Sequence, residues 1–332
     1  MSRRREVVVY AHDAGGAAIL AAFIRQKSAT HRFRVFARGP AATLFRQQGI
    51  RLLNRTQNRE RTMVAARRFL HDHPPAFFLC GTGSPMHAGL ELIHACRKEG
   101  IRSVAFLDHW VNYRERFGYP SSHWKRQLPD EMWVGDREAL RRARVLFPRH
   151  VSLRLVPNPY FADVRRTYRV HARKRPTGVL FVSEPMRGTA TRAWISETQL
   201  ATRLLAHFSR TWPMVPAIIR LHPSEPRDKY RALLQRFKKR PYRVSSRSTL
   251  LDDVASAFLV VGLESMALVI AGMCGKTVLR FPARKGSREA LPIPGTVVTS
   301  DAAFRKQIDR YVEQHLRGSK TVGTRTSRHP RR

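Results

Sequence analysis

The chain has 332 residues, 42% of them hydrophobic, which is enough for two globular domains of ordinary size, each with its own core. Lysine and arginine number 62 against 24 aspartate and glutamate residues, so the formal net charge is +38 at pH 7. The apolar runs are too short for a membrane span, which needs about 18 apolar residues, or for a signal peptide after the basic N-terminus. We therefore expect a cytoplasmic protein whose contact with the inner membrane face is peripheral and electrostatic.

The charge by itself would draw the chain to nucleic acid, anionic membrane or acidic polymers. The arginine residues are spread over the whole chain, however, and no RRM, KH, zinc-finger or basic-helix signature accompanies them. We expect weak, salt-sensitive contact with anionic lipid or polymer and no specific nucleic-acid binding.

The three cysteines, Cys80, Cys96 and Cys274, have no CxxC spacing and no neighbouring histidine pattern. This argues against a zinc site and against a disulfide framework, so no metal site is predicted. Free thiols fit a reducing compartment.

Short apolar runs alternate with helical patterns through the first 156 residues. The predicted strands cover residues 7–10, 32–36, 50–53, 76–80, 102–108, 131–135 and 152–156. Helices are predicted directly after the first strand and over residues 40–48, 58–71, 85–98 and 136–146. This alternation is typical of a doubly wound α/β domain.

Polar residues follow three of these strands at their carboxyl ends, where parallel sheets bind ligands. They are His12 and Asp13 with the nearby Gly15 and Gly16, the turn Thr82-Gly83-Ser84, and the pair Asp108 and His109. The glycines would let the backbone approach a ligand closely. Structural alternatives exist: Asp13 as the N-cap of the next helix, and Asp108 as a loop carboxylate beside a solvated histidine.

The loop from Trp110 to Trp124 is long and rich in aromatic and basic residues. It suits either a lip that binds a second substrate or a loop packed down by its own aromatic side chains.

Residues 165–176, RRTYRVHARKRP, are basic and poor in apolar side chains, which predicts a linker between two domains. We therefore expect one domain over residues 1–164 and another over residues 177–316. The Gly/Ser/Thr/Arg-rich tail, residues 317–332, is expected to be disordered.

The second half repeats the alternation of strand and helix. Its predicted strands cover residues 178–185, 215–223, 242–245, 258–262, 277–281 and 296–300, and its helices residues 191–211, 227–239, 250–257 and 301–316, with a further helix after Ser265. Polar residues again follow strands: Ser183 and Glu184, then Arg220 and His222 in an Arg-Leu-His-Pro turn, then Glu264 and Ser265.

The stretch FLVVGLESMALVIAGMCGKTVLRF, residues 258–281, predicts a βαβ unit with Glu264 and Ser265 at its strand-to-helix junction. Free N–H groups and the positive end of the helix dipole favour a phosphate or sugar hydroxyls there. The alternative is that Ser265 caps the helix and Glu264 complements its dipole.

RLHPSE at 220–225, followed by GLESMALVIAGMCGKTVL at 262–279, resembles a pairing found in bacterial surface-polysaccharide enzymes of the GT-B superfamily. These include transferases that use CMP-activated sialic acid or Kdo, and CDP-glycerol glycerophosphotransferases. The resemblance covers residues 179–281 and is architectural only over the N-terminal half. No acidic acceptor motif of the sialyltransferase kind is present, which leaves the donor sugar open.

The resemblance implies two doubly wound Rossmann-like domains facing across a cleft, with the acceptor-side domain first and the nucleotide-donor domain second. It implies that His222 contacts the nucleotide phosphate and that Glu264 and Ser265 bind the nucleotide. The other candidate nucleotide-binding residues are Arg220, Ser183, Glu184, Gly15 and Gly16.

The implied activity is transfer of a sugar from a CMP- or UDP-linked donor to a glycan or lipid-linked acceptor, without a metal or other cofactor. The negative charge that develops on the nucleotide would be stabilised by helix N-termini, a histidine and an arginine. Asp13, Asp108 and His109 are the candidates for the catalytic base, with His12 as a further alternative.

Three other interpretations stay open. A UDP-N-acetylglucosamine 2-epimerase-like enzyme would share the architecture, but needs acidic residues facing the sugar from the first domain. A degenerate member of the fold would act as a binding subunit. The charge alone would suit a non-catalytic protein that binds nucleic acid or another polyanion.

Overall fold

The computed structural model describes residues 4–54, 56–83, 87–171, 175–185, 195–223, 225–247, 249–281, 292 and 295–323. The chain divides into two compact units, one ending at Asp163 and the other beginning at Val164. No helix in the described part is long and apolar enough to cross a membrane.

Unit 1, up to Asp163, is a six-stranded parallel sheet with helices between its strands. Its strands are β1 (Arg5–Ala11), β2 (His31–Ala37), β3 (Phe77–Gly81), β4 (Ser103–Leu107), β5 (Glu131–Val134) and β6 (Ser152–Leu155). Its helices are α1 (Ala14–Lys27), α2 (Gly39–Gln47), α3 (Arg59–Asp72), α4 (His87–Lys98), α5 (Arg137–Leu146) and the start of α6 (Pro159–His171).

The strand order in unit 1 is β2-β1-β3-β4-β5-β6, and every pairing is parallel. The chain moves from β1 to β2 at one side, then returns to place β3 at the other side of β1. Ligands of doubly wound sheets bind outside the carboxyl ends of the strands at this reversal. The sheet order therefore draws attention to the residues that follow β1 and β3.

Unit 2 is a second six-stranded parallel sheet. Its strands are β7 (Gly178–Val182), β8 (Ala217–Arg220), β9 (Tyr242–Val244), β10 (Ala257–Gly262), β11 (Thr277–Arg280) and β12 (Thr296–Val297). Its helices are α7 (Glu197–Thr211), α8 (Arg231–Gln235), α9 (Leu250–Ser256), α10 (Met266–Met273) and α11 (Asp301–Gly323). The order is β12-β11-β10-β7-β8-β9, so the reversal lies between β7 and β10.

Fully buried side chains on the central strands explain why the sequence forms these sheets. In β1 the residues Val7, Val8, Val9 and Tyr10 are 0% exposed, and in β10 Leu259, Val260 and Val261 are also 0% exposed. A strand that is covered by helices on both faces has a continuous run of apolar residues, and such runs predict the strands from the sequence. The predicted doubly wound fold is confirmed for both sheets.

The predicted strand at residues 50–53 forms only an isolated bridge, between Val35 and Leu52. The amide of Asn54 explains why the pairing ends there. It accepts a hydrogen bond from the backbone N–H of Ala37 at 3.0 Å and donates to its carbonyl at 2.8 Å. The Asn54 side chain thus makes the hydrogen bonds to the backbone of Ala37 that a longer neighbouring strand would otherwise have made.

The predicted linker differs most from the structure, because helix α6 runs through residues 165–171. The helix begins with Pro159, and Asn158 accepts a hydrogen bond from the N–H of Tyr160 at 3.0 Å. Phe161 stacks on Trp110 of unit 1 with ring centroids 6.2 Å apart. The arginine-rich sequence therefore belongs to a helix that is anchored by its first turn.

Three other helix boundaries differ from the predictions. Helix α11 continues to Gly323 rather than ending near Leu316, so residues 317–323 of the predicted tail are helical. Helix α8 is confined to Arg231–Gln235. Helix α7 begins at Glu197 behind the capping box of Ser196 and Gln199; residues 191–194, 172–174 and 324–332 lie outside the described residues.

Candidate functional site

Asp13 follows β1 and caps helix α1, with its carboxylate 2.8 Å from the backbone N–H of Gly16. The structural interpretation of Asp13 as an N-cap is thus fulfilled. The same carboxylate also faces a second acid. A Cβ at Gly15 would lie 2.8 Å from Oδ2 of Asp108 and 3.8 Å from Oδ1 of Asp13, so both carboxylates approach the backbone of Gly15.

Gly16 has a packing role that accounts for its identity. A Cβ at Gly16 would lie 3.0 Å from the Cα of Gly81, and a Cβ at Gly81 would lie 2.9 Å from the Cα of Gly16. The start of α1 therefore contacts the end of β3 backbone to backbone, which only glycine permits. This contact brings the loop after β3 against His12 and Asp13.

Asp108, directly after β4, is held by an ion pair and by a hydrogen bond. Its Oδ1 lies 2.7 Å from the guanidinium of Arg116, and both side chains are largely buried, 13% and 8% exposed. The hydroxyl of Thr82 is 3.1 Å from the same oxygen, and Arg116 also donates to the carbonyl of Thr82 at 3.0 Å. We call Asp13, Thr82, Asp108 and Arg116, with the adjacent His12, the acid cluster.

The acid cluster holds its protons more tightly than isolated carboxyls do. Burial raises the pKa of Asp108 to about 6, against the lowering effect of Arg116, and the charge on Asp13 raises it further. Burial also raises the pKa of Asp13, although the N–H of Gly16 and the charge of Arg116 oppose the rise. At neutral pH the pair can therefore both accept and release a proton.

His109, the third candidate base, is a half-buried neutral imidazole. Burial, with the charges of Arg116 and Arg142, lowers its pKa to about 4. Its Nδ1 has no hydrogen-bond partner among the described residues. A base with so low a pKa is weak at neutral pH, so Asp108 and Asp13 suit proton transfer better.

The loop that begins at Trp110 is packed down by its own aromatic side chains. Tyr113 stacks on Phe147 with ring centroids 6.1 Å apart, and Phe117 meets the same ring edge-on at 5.8 Å. Trp124 contacts Phe147 as well, at 6.2 Å. This packing buries Arg116 and holds it against Asp108; a substrate-binding role for the loop stays a prediction.

In unit 2, the loops after β7 and β10 are joined at the reversal of the sheet. The carboxylate of Glu184 accepts a hydrogen bond from the backbone N–H of Glu264 at 3.0 Å. Ser265 caps α10 by accepting from the N–H of Ala267 at 3.2 Å. Burial raises the pKa of Glu184 despite its hydrogen bond, and the nearby Glu264 adds to the rise.

The loop after β8 joins the same network through Glu225. One oxygen of Glu225 accepts from the backbone N–H of His222 at 2.7 Å, and the other accepts from the Ser183 hydroxyl at 2.9 Å. Lys229 lies 2.5 Å from Glu225 and neutralises part of its charge. Residues that follow β7, β8 and β10 are thus connected, and we call Ser183, Glu184, Glu225, Lys229 and Glu264 the strand-end network.

His222 and Ser265 lie at the same edge of the sheet, with β7 between their strands, a separation of roughly 10 Å between β8 and β10. His222 is exposed and is not packed beneath the sheet. Arg220 differs, because its guanidinium lies 2.7 Å from Asp253, which is 0% exposed. Arg220 is committed to this buried ion pair and is a poor candidate for a nucleotide contact.

Several residues in these networks are absent from the sequence-based candidates. They are Arg116, Glu197, Glu225, Lys229, Tyr230 and Asp253. The sequence signal that could have identified Arg116 is its position among aromatic residues in the loop that begins at Trp110. Ser84, which was a candidate, lies outside the described residues.

No known family profile and no curated protein matches this sequence. Solved structures do match. UDP-N-acetylglucosamine 2-epimerase from Methanocaldococcus jannaschii, in complex with UDP-GlcNAc and UDP, has a TM-score of 0.66 at 10% identity, covering 94% of this chain and 92% of that one. The Neisseria meningitidis enzyme of that name, bound to UDP-GlcNAc, has a TM-score of 0.63 at 11% identity, covering 93% and 91%.

A third match, Anabaena Alr3699/HepE in complex with UDP and glucose, has a TM-score of 0.57 at 13% identity and covers 92% of this chain and 89% of that one. At such identities the likeness concerns the fold. The fold is of the GT-B type. In this GT-B-like chain, both sheets carry polar networks at the reversal where the fold class binds its ligands.

Proposed function

We propose that the chain is an enzyme that acts on a UDP-activated sugar, with the acid cluster as its proton-transfer group and the strand-end network as its nucleotide-binding group. The observation that carries the proposal is that two carboxyls, of the partly exposed Asp13 and the largely buried Asp108, both approach the backbone of Gly15 at the reversal of the first sheet. A fold needs no such pair for stability, since burying two acids together is costly. Perturbed acids of this kind cluster at catalytic sites.

Arg116 stabilises negative charge on the carboxyl pair of Asp13 and Asp108. Arg116 is one cation against two carboxyls, so its charge is balanced when the two acids share one proton and carry a single negative charge between them. A pKa of about 6 for Asp108 puts that exchange near the working pH of a general acid–base catalyst.

In unit 2, the geometry favours recognition of sugar hydroxyls by Glu264. The backbone N–H groups of Glu264 and His222, which could have bound phosphate, already donate to the carboxylates of Glu184 and Glu225. A carboxylate accepts hydrogen bonds from hydroxyls and repels phosphate. We assign the ribose to Glu264, and the diphosphate to the side of the network that carries His222.

The main candidate reaction is epimerisation at C2 of UDP-N-acetylglucosamine. Two of the matched structures are UDP-GlcNAc 2-epimerases bound to UDP-GlcNAc. Inverting C2 requires removal of its proton, with the C–H electron pair forming a C1–C2 double bond as UDP leaves C1, and then return of a proton to the opposite face of C2 as UDP rejoins C1. Two carboxyls with raised pKa values, Asp13 and Asp108, supply the acid and base that this requires.

The second candidate is glycosyl transfer. It is favoured by the His222-Pro223 turn and the Glu264-Ser265 helix start, whose pairing resembles polysaccharide transferases. One base would then suffice, to deprotonate the acceptor hydroxyl as the bond between sugar and phosphate breaks. The described residues contain no group of three or more histidine, cysteine or carboxylate side chains placed to hold a metal ion.

Proton NMR of UDP-GlcNAc incubated with the protein in D₂O separates the candidates. An epimerase incorporates deuterium at C2 and accumulates UDP-N-acetylmannosamine. A transferase leaves C2 protonated and releases UDP only when an acceptor is added. Asp108→Asn should abolish either reaction, and a sugar nucleotide left unchanged under all these conditions would contradict the proposed function.

A further inference from the structure

A second polar cluster of unit 1 lies beside the acid cluster, on the face of the sheet that packs against α3. Val9 and Ala11 of β1 point into the core beneath α1 and α2, so Tyr10 points to the opposite face. Phe36, the register partner of Tyr10 on β2, contacts Phe69 of α3 on that face.

Arg38 completes this cluster from the end of β2. Its backbone N–H donates to the carbonyl of Ala11 at 3.3 Å, which places Arg38 beside His12 at the carboxyl edge. Two residues after Phe36 in an extended strand, its side chain lies on the same face as Tyr10. We call Tyr10 and Arg38 the phenol–guanidinium cluster.

The polar atoms of this cluster have no partner but each other among the described residues. Tyr10 is 0% exposed, and its hydroxyl has only the Arg38 side chain as a hydrogen-bonding neighbour, at a geometry too poor for a well-formed bond. The Nε of the half-buried Arg38 likewise makes no well-formed hydrogen bond. Arg38 also makes no ion pair with a carboxylate among the described residues. Buried polar groups in folded proteins are nearly always satisfied, so a phenol and a guanidinium that meet only each other, without a carboxylate to balance the charge, indicate a site for an anionic ligand.

The positive charges around Tyr10 indicate that the ligand carries a negative charge. Arg38 and Arg59 are both near enough for their charge to act on the Tyr10 hydroxyl. Arg59 has a carboxylate partner, Glu91, whereas Arg38 contributes an uncompensated charge. Arg38 is also the N-cap residue of α2 and makes no side-chain capping bond, so its guanidinium is not used by the helix.

We propose that Tyr10 and Arg38 bind an anionic group, a phosphate or a carboxylate, carried by a small-molecule ligand. A guanidinium and a phenolic hydroxyl together donate to the oxygens of such a group, and the guanidinium matches its planar or tetrahedral oxygens in pairs. The ring of Tyr10 stacks at 6.4 Å on His12, which lies 3.9 Å from Asp13. The anion is thus held next to the acid cluster, and this binding does not depend on the proposed reaction.

Thermal unfolding and calorimetry with sodium phosphate and sodium glucuronate, each compared with sodium chloride at equal ionic strength, test the proposal. The variants are Arg38→Met, which removes the charge, and Tyr10→Phe, which removes only the hydroxyl. Arg46→Met, an exposed arginine on the same helix, is the matched control for a chain with a net charge of +38. UDP is tested last, because its phosphates can also bind unit 2.

We expect one of the two anions to raise the melting temperature of the wild type and of Arg46→Met, and to bind at least tenfold more weakly to Arg38→Met and Tyr10→Phe. The anion that does so identifies the ligand as a phosphate or a carboxylate. Arg38→Met should keep or raise the melting temperature without anion, since a charge lacking a partner is removed. If Arg38→Met fails to fold, Tyr10→Phe alone decides. Equal anion effects in all four proteins would overturn the proposal, as they would report surface charge only.

Discussion

Replacing Arg116 by methionine tests whether this residue controls the protons of the acid cluster. The guanidinium lies 2.7 Å from Asp108 with both side chains largely buried, and its charge lowers the pKa of that carboxyl and of Asp13. Removing one partner of a buried ion pair costs about 3–5 kcal/mol when the other keeps its charge. Asp108 can reduce this cost by retaining its proton.

The cost should therefore depend on pH with a defined sign. The pKa of Asp108 is about 6 in the native protein and rises above that value in Arg116→Met. Between these two values the variant's native state holds a proton that the wild type has released. Its stability relative to wild type then falls as pH rises, by about 1.4 kcal/mol per pH unit for one proton. Below pH 6 both proteins hold the proton and the difference is smallest.

Urea unfolding of wild type and Arg116→Met at pH 5.5 and pH 8 measures this difference. We expect the loss of unfolding free energy to be larger at pH 8 by about 2 kcal/mol, from the slope above. Arg114→Met, in the same loop but stacked on Tyr119 rather than on an acid, is the control and should show no such dependence. A loss for Arg116→Met that is equal at both pH values would refute the assigned control of Asp108.

Three further outcomes follow from the same geometry. Asp13→Asn should lower turnover at least a hundredfold while the Kd for UDP, measured by calorimetry, changes less than twofold, since a general base contributes to the reaction and not to nucleotide binding. Gly83→Ala should lower both turnover and unfolding free energy, the latter by about 1–3 kcal/mol in urea titrations, because its Cβ would lie 1.8 Å from Oδ2 of Asp13 and 2.6 Å from the His12 ring. Lys229→Met should destabilise unit 2 by about 3–5 kcal/mol, as it leaves Glu225 and Glu197 without their cation; an unchanged urea midpoint would count against the strand-end network.

The strands and the polar residues that follow them could be predicted because both depend on short stretches of sequence. A continuous apolar run such as that of β1 identifies a buried strand, and the parallel arrangement brings its last residues to one edge. The pairing of Asp108 with Arg116, or of Arg220 with Asp253, depends on how loops and helices return to that edge. Such contacts follow from the tertiary fold and have no local sequence signal.

Helix α6 shows a different limit of sequence-based prediction. Its arginine-rich second half lacks the apolar stripe expected of a helix on a core, so it reads as a linker. The first turn decides the structure instead, through the capping Asn158, through Pro159 and through the stacking of Phe161 on Trp110. Three residues at one end thus propagate a helix through a sequence that has little apolar surface of its own.

The central claim, that this chain binds a nucleotide sugar, is tested most directly by thermal unfolding with UDP, CDP, CMP and GDP, each at a concentration near 100 times its expected Kd. A ligand at that ratio stabilises the native state by about 2.7 kcal/mol, which corresponds to a melting-temperature increase of about 5–10 °C for a domain of this size. We expect UDP to give this increase in the wild type and in Asp108→Asn, and to lose most of it in Glu264→Ala, whose carboxylate we assign to the ribose. If none of the four nucleotides raises the melting temperature, or if the UDP effect persists in Glu264→Ala, the assignment of the strand-end network as a nucleotide site is contradicted.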